Sequence, residues 1–241
     1  MIRINKYLSV CGVTSRRGAE KLIERQRVTI NDCVAQLGAV VDETADVVKV
    51  DGAQITPVSR RVYVVLNKPA GVMTTLHDPF KRRTVRHLLK KLTDRVYPVG
   101  RLDFDTEGVL LLTNDGELAY RLSHPKYQIS RLYEAKVKGR FESADAEKMA
   151  AGIVLDDGAT GRARVRTIHQ GRDSSRIRLV LTEGRKREVK QLCKGVGHPV
   201  LKLERLEFAG VTITGLQRGK WRELTPAEIR SLKAMVGLVG E

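Results

Sequence analysis

The chain has 241 residues, of which 41% are hydrophobic, enough for one well-packed core and a small additional domain. Its 44 Lys and Arg residues exceed its 28 Asp and Glu residues and give a net charge of +16, so we expect a polyanionic partner. No apolar run approaches the roughly 18 residues that cross a bilayer, the first residues lack the apolar segment of a signal peptide, and three cysteines do not suggest a disulfide framework. The composition therefore favours a cytoplasmic protein that binds nucleic acid, and it argues against a membrane partner.

The beginning of the chain, residues 1–58, is predicted to form a small domain of its own. Apolar residues at helical spacing predict a first helix over residues 4–10, and Ser15 can cap a second helix. Short strands and then a linker are expected after these helices, at residues 28–30, 47–50 and 53–60.

Positive charge is concentrated in the first 27 residues, where seven bases stand against two acids. The pattern RINKYLS…SRRGAEKLI…VTIN resembles the S4 RNA-binding domain. The resemblance implies that six residues contact the RNA backbone, which positions RNA without reading its sequence. These residues are Arg3, Lys6, Ser15, Arg16, Arg17 and Lys21.

From residue 62 onward, the pattern changes to longer apolar runs that alternate with helical segments. Strands are predicted at residues 62–66, 97–99, 109–113, 129–137, 162–168, 176–181 and 200–206. Helices are predicted at residues 85–92, 117–123, 143–152, from 188, and at 226–235. The sequence Asn114-Asp115-Gly116 is interpreted as a turn.

A polar loop between two apolar runs carries Arg101 and the carboxylates Asp103, Asp105 and Glu107. A turn that faces water is one interpretation of this loop. A calcium loop is rejected, because its closing position requires a bidentate Glu and holds Asn114. The third interpretation is a carboxylate that acts as a nucleophile or base, with Arg101 close enough to keep it ionised.

The segment GRLDFDTEGVLLLTNDG closely resembles the catalytic signature of pseudouridine synthases, specifically of the RsuA-like family that modifies ribosomal RNA. The resemblance implies that Asp103 is the essential catalytic residue, that Asp105 and Glu107 are supporting or solvent-facing, and that Arg101 contacts substrate. RLYEAKV resembles the family's tyrosine motif, in which Tyr133 would stack beside the target base. A half-buried strand tyrosine is the alternative.

Two further segments resemble motifs of the same family. In EGRKREVKQLC, Lys190 stands at the position of the basic residue that pairs with the catalytic Asp, and Arg185 would contact RNA. A lysine keeps the charge of the more common arginine but loses its bidentate fork. NKPAG resembles the first motif, where Lys68 either touches phosphate or supports the fold.

The resemblance implies an α+β protein: a small N-terminal S4-like RNA-binding domain (residues 1–58) joined to a pseudouridine synthase catalytic domain (residues 59–241) with a mixed, largely antiparallel sheet and flanking helices. The implied reaction converts uridine in RNA to pseudouridine and requires no cofactor and no metal. The expected partner is ribosomal RNA or a ribosomal precursor particle, and the protein is expected to be a monomer.

The tail HPVLKLERLEFAGV…GKWRELT looks more like enzymes of large-subunit (23S) ribosomal RNA than of small-subunit (16S) ribosomal RNA. Transfer RNA is a further alternative substrate. A non-catalytic RNA-binding protein of ribosome assembly would explain the charge and the S4-like module equally well, but not the three catalytic motifs.

Overall fold

The computed structural model describes residues 1–238, and the chain divides into two compact units, Met1–Arg61 and a larger one that begins at Val62. The division lies a few residues after the boundary expected from the sequence. Within the part of the chain that the structure describes, no helix combines the length and apolar character needed to cross a membrane.

The first unit contains two helices and six short strands around its own apolar core. The helices are α1 (Ile4–Val10) and α2 (Arg16–Glu24), and the strands are β1 (Ile2–Arg3), β2 (Val28–Ile30), β3 (Cys33–Val34), β4 (Val40–Val41), β5 (Val48–Val50) and β6 (Ala53–Gln54). β1 pairs with β4, and the other four strands form a sheet in the order β3-β2-β5-β6. The Ser15 hydroxyl accepts a hydrogen bond from the Gly18 amide at 3.1 Å and so caps α2, as predicted.

One expectation for this unit is wrong. The predicted linker does not begin at Ala53, because Ala53 and Gln54 pair with β5 after a turn at Asp51 and Gly52, both of which have positive φ.

The second unit is built on one large sheet with helices packed against it. Its strands are β7 (Tyr63–Lys68), β8 (Tyr97–Pro98), β9 (Glu107–Thr113), β10 (Arg131–Lys138), β11 (Ile153–Val154), β12 (Thr160–Gly161), β13 (Arg164–His169), β14 (Ser174–Leu181), β15 (Val200–Phe208), β16 (Val211–Thr212) and β17 (Trp221–Glu223). Its α-helices are α3 (Gly116–Ser123), α4 (Ser143–Ala151), α5 (Glu188–Gly195) and α6 (Pro226–Met235), and 3₁₀ helices cover Val85–Leu88 and Pro125–Tyr127.

The large sheet has the order β13-β14-β10-β15-β9-β7-β17, with β16 beside β15 and β8 beside β9. Its pairs are antiparallel except for β15 and β9, which run parallel. The prediction of a mixed, largely antiparallel sheet is therefore confirmed. β7 and β9 are buried along their whole length, which explains their continuous apolar runs.

Two local predictions in this unit are also wrong. The helix expected at residues 85–92 is a single 3₁₀ turn, because the amides of Leu89 and Leu92 bond to carbonyls only three residues back, at 3.2 and 2.9 Å. The expected turn at residues 114–116 is instead a helix start: the Asp115 carboxylate accepts from the Leu118 amide at 3.1 Å and caps α3.

Candidate active site

The catalytic loop, residues 100–106, carries the predicted catalytic residue Asp103 and lies at the junction between the two halves of the large sheet. It leads into β9 where that strand pairs in parallel with β15, Gly108 opposite Arg205. Gly108 has a φ of +103°, and a Cβ atom there would lie 2.1 Å from the Arg205 carbonyl oxygen. Only glycine permits this close approach, so Gly108 fixes where the loop meets the second half of the sheet.

The loop is held from below by Lys68, the last residue of β7. Its side chain is fully buried, and its Nζ donates to the carbonyl oxygens of Asp103 at 3.0 Å and Thr106 at 2.8 Å. Burial lowers the pKa of Lys68 to about 8, although the charges of Asp105, Asp103 and Glu107 oppose this shift. Of the two roles expected for Lys68, the structure shows the supporting one.

A cleft of about 560 Å³ opens above this loop, a size suited to a small ligand. Most of its lining residues come from three separate sequence segments: the loop at residues 100–106, Tyr133 from β10, and residues 183–190 at the start of α5. Five of the side chains singled out from the sequence therefore meet at one cleft. They are Arg101, Asp103, Tyr133, Arg185 and Lys190.

Lys190 is the cation closest to the predicted catalytic carboxylate. Its Nζ lies 3.4 Å from Asp103 Oδ2 and 2.5 Å from Asp105 Oδ1, so the two carboxylates share one ammonium. The Asp103 side chain is 33% exposed, partly shielded yet open to the cleft. Burial opposes ionisation of Asp105, but its hydrogen bond to Lys190 and the charges of Lys190 and Arg187 together outweigh burial, and the pKa of Asp105 falls below the usual range.

Tyr133 is placed on the cleft by strand register. It pairs with Arg205 on β15, and Arg205 in turn pairs with Gly108 on β9. Tyr133, Arg205 and Gly108 therefore lie side by side on three neighbouring strands, and Gly108 stands just after the catalytic loop. The buried Arg205 guanidinium lies 6.0 Å from the centre of the Tyr133 ring, and its Nε donates to the Val109 carbonyl at 2.8 Å. Tyr133 is partly buried and contacts two of the apolar clusters of the sheet.

The other predicted RNA contact, Arg185, is engaged within the protein. Its guanidinium bonds to Glu183 at 2.7 Å and to Asp157 at 3.2 Å. The Arg185 amide donates to the buried carboxylate of Glu188 at 3.0 Å, and burial raises the pKa of Glu188. The polar groups at the N-terminal end of α5 therefore line the cleft and also form hydrogen bonds with one another.

Glu107 is supporting, because only 10% of its side chain is exposed. It forms ion pairs with Lys202 at 3.1 Å and with Arg218. Burial opposes its ionisation, but these two cations outweigh burial and lower its pKa. The carboxylate is thus held as an anion next to the catalytic loop.

Sequence reasoning missed several residues of the cleft. Arg187 lines it in a left-handed conformation with a φ of +53°, and its charge helps to lower the pKa of Asp105. The Thr106 hydroxyl is buried at the cleft and has no hydrogen-bond partner among the described residues. Arg187 could have been found from its place in the segment EGRKREVKQLC. Nothing in the sequence indicates that the Thr106 hydroxyl lacks a hydrogen-bond partner.

The six residues expected to contact the RNA backbone lie in the first unit, and none of them lines this cleft. Arg3, Lys6, Ser15, Arg16, Arg17 and Lys21 are all exposed. Ser15 is committed to its cap. The five basic side chains form no hydrogen bond or ion pair with other residues in the described range 1–238. The same range contains no group of three or more His, Cys, Asp or Glu residues arranged to hold a metal ion.

Most residues that line the cleft lie within the part of the chain that a protein-family model matches. The family model described as RNA pseudouridylate synthase matches residues 62–194, which contain all three segments of the cleft. The chain belongs to the RNA pseudouridylate synthase family, and the resemblance drawn from its motifs is confirmed.

Individual relatives match nearly the whole chain. An RNA pseudouridine synthase of Aquifex aeolicus is 42% identical, over 98% of this chain and 96% of its own length. The ribosomal large subunit pseudouridine synthase B of Bacillus subtilis is 41% identical, over 98% of this chain and 97% of its own length. A crystal structure of a pseudouridylate synthase matches with a TM-score of 0.70 and 27% identity, over 96% of this chain and all of that one.

Proposed function

We propose that this enzyme converts a specific uridine of large-subunit ribosomal RNA to pseudouridine. The observation that carries the proposal is the cleft, in which the Asp103 carboxylate lies 3.4 Å from the Lys190 ammonium and Tyr133 supplies an aromatic ring. The large-subunit target rests on the printed name of the Bacillus subtilis relative. A non-catalytic assembly factor would have no use for a carboxylate held in this way.

The reaction is an isomerisation. The bond between uracil N1 and the sugar C1′ breaks, the uracil turns, and a bond forms between C5 and C1′, while the proton on C5 is released and one is gained at N1. Asp103 either attacks the sugar or removes a sugar proton, and both routes use the same carboxylate. Because no atoms are oxidised or transferred to a carrier, the proposal includes neither a cofactor nor a metal.

The cleft side chains have separate roles in this proposal. The target uridine must leave the RNA stack, at a cost of about a few kcal/mol, and stacking on Tyr133 offsets part of this cost. Lys190 supplies a positive charge 3.4 Å from the Asp103 carboxylate, and Arg101 and Arg185 line the cleft where they can approach the neighbouring phosphates.

The first unit is proposed to be an S4-like RNA-binding domain, covering about residues 1–58. Its unpaired basic side chains, Arg3, Lys6, Arg16, Arg17 and Lys21, would contact the RNA backbone, with Ser15 fixing the helix that carries three of them. The protein would act as a monomer in the cytoplasm, on ribosomal RNA or a precursor particle.

The decisive experiment measures tritium release from RNA labelled at uridine C5. Large-subunit, small-subunit and transfer RNA are supplied separately to the wild-type enzyme and to Asp103→Asn. We expect release from large-subunit RNA by the wild type alone, because the amide retains the shape of the side chain but can act neither as the nucleophile nor as the base.

Melting curves and RNA-binding isotherms for both proteins serve as controls, and we expect them to be similar. Turnover by Asp103→Asn would overturn the assignment of the catalytic residue. Release from small-subunit or transfer RNA alone would identify that RNA, and not large-subunit RNA, as the substrate. Absence of release from every RNA and from precursor particles, with binding intact, would favour the assembly factor.

A further inference from the structure

A second groove, of about 590 Å³, lies in the same unit as the cleft, and none of its lining residues lines the cleft. One wall comes from the 3₁₀ turn and the residues after it, the other from the segment that leads into β17. Its lining includes five Lys and Arg residues and contains no Asp or Glu. A groove with this charge selects an anionic ligand.

Most of these cations are not neutralised by the protein. Arg83, Lys90, Lys91 and Lys220 are exposed, and their side chains form no ion pair with other residues of the described chain. Arg218 differs, because it pairs with Glu107 and Glu204. The four unpaired cations repel one another, and phosphates that bind in the groove relieve this repulsion.

An aromatic residue distinguishes this groove from an ordinary basic surface. Trp221 lines it and is half-buried, with one part of its side chain packed against the apolar cluster of β7 and β9. It is the single tryptophan of the chain. A fixed ring beside unpaired cations is the combination that binds single-stranded nucleic acid, because bases stack on the ring while phosphates meet the cations.

The segment that lines the groove and the catalytic loop are both hydrogen-bonded to the end of β7. The Asn67 amide donates to the Lys220 carbonyl at 3.0 Å, and the Gly219 amide donates to the Asn67 carbonyl at 2.7 Å. The next residue, Lys68, holds the catalytic loop. Arg218 contacts Glu107, which follows that loop directly. An RNA strand whose target uridine lies in the cleft can therefore continue into the groove.

We infer that this groove binds a single-stranded segment of the RNA substrate near the target uridine, with one base stacked on Trp221 and phosphates on Lys90, Lys91 and Lys220. The inference rests on the proposed RNA substrate and adds a second subsite to it. It predicts that affinity for single-stranded RNA depends on residues that do not line the catalytic cleft.

Because Trp221 is the only tryptophan, its fluorescence reports on this groove directly. The full chain is titrated with a fluorescently labelled hexauridylate, whose binding is followed independently by anisotropy, and with inorganic polyphosphate. We expect saturable quenching of Trp221 by the hexauridylate and no comparable quenching by polyphosphate, since only the former carries bases.

The double variant Lys90→Ala/Lys91→Ala is compared with Lys136→Ala/Lys138→Ala, which removes the same charge from exposed positions of β10 that do not line the groove. We expect the first to lower the affinity for hexauridylate about tenfold and to reduce the slope of log affinity against log salt by about 1.4. The second should leave both quantities close to wild type.

Hexauridylate binding without a change in Trp221 emission would overturn the inference, as would equal losses of affinity in the two double variants. The readout requires no turnover, so it separates this inference from the proposed function. Quenching without tritium release would contradict the proposed function but not the inference that the groove binds single-stranded RNA. Tritium release without quenching would contradict only the inference about the groove.

Discussion

The Nζ atom of Lys190 lies closer to Asp105, at 2.5 Å, than to the predicted catalytic carboxylate of Asp103, at 3.4 Å. The lysine is therefore shared between two anions of one loop. Asp105 is the more exposed partner, with 67% of its side chain accessible to solvent, against 33% for Asp103. Solvent screening weakens the Asp105 contact, which leaves Lys190 able to turn towards Asp103.

We expect Asp105→Asn to retain turnover within a few-fold of wild type, because Lys190 then serves Asp103 alone. The loss of an exposed ion pair should cost less than about 1 kcal/mol of stability. Tritium release and thermal melting measure the two effects, and Asp103→Asn provides the inactive reference. An Asp105→Asn enzyme as inactive as Asp103→Asn would contradict the division of roles between these carboxylates.

The ring of Tyr133, rather than its hydroxyl, is expected to be what turnover requires. Tyr133→Phe should retain most of the activity, while Tyr133→Leu should lose about tenfold to a hundredfold, since stacking on one base is worth about 1–3 kcal/mol. Single-turnover tritium release separates this loss from product release. If the phenylalanine variant is as defective as the leucine variant, the hydroxyl must have a role of its own.

The buried Lys68 makes a defined contribution to the pH dependence of stability. Its folded pKa of about 8 lies below the unfolded value of 10.5, so between these pH values the unfolded chain binds more protons than the folded one. The free energy of unfolding should therefore rise with pH over this interval on account of Lys68. The contribution is complete once the pH exceeds the unfolded pKa.

Urea unfolding of wild type and of Lys68→Met, measured between pH 7 and about 11, isolates this contribution. We expect the difference in unfolding free energy between the two proteins to widen as the pH rises through about 8, in addition to a loss at all pH values from the unpaired carbonyl groups. A difference that stays constant with pH would contradict the lowered pKa.

Gly108→Ala should disrupt the second unit far more than an ordinary glycine substitution. The new Cβ would meet the Arg205 backbone at 2.1 Å, whereas Gly215, with a φ of +74°, has open space around it. Gly215→Ala therefore measures the cost of the positive φ alone, about 1 kcal/mol. Thermal melting should show a loss several times larger for Gly108→Ala, and equal losses would contradict the close strand approach.

Much of the fold could be predicted from local patterns. The strands β7, β9 and β10 and the helices α1, α3, α5 and α6 lie within a few residues of their predicted positions, because apolar periodicity and capping residues are local properties. The apolar spacing after Thr84 predicts a longer helix than the 3₁₀ turn that forms, because this spacing suits both forms and the hydrogen bonds that distinguish them depend on packing.

The family of this protein and the candidate site residues Asp103, Tyr133 and Lys190 can be predicted from the amino-acid sequence, because motifs of fixed spacing carry that information along the chain. Which of these groups contact one another depends on tertiary packing. The parallel pairing of β15 with β9 brings together residues almost a hundred positions apart, the antiparallel pairing of β7 with β9 sets the buried Lys68 opposite Gly108, and α5 places Lys190 next to two carboxylates. Burial and distance arise from the packing of strands that are remote in sequence, and no local pattern records them.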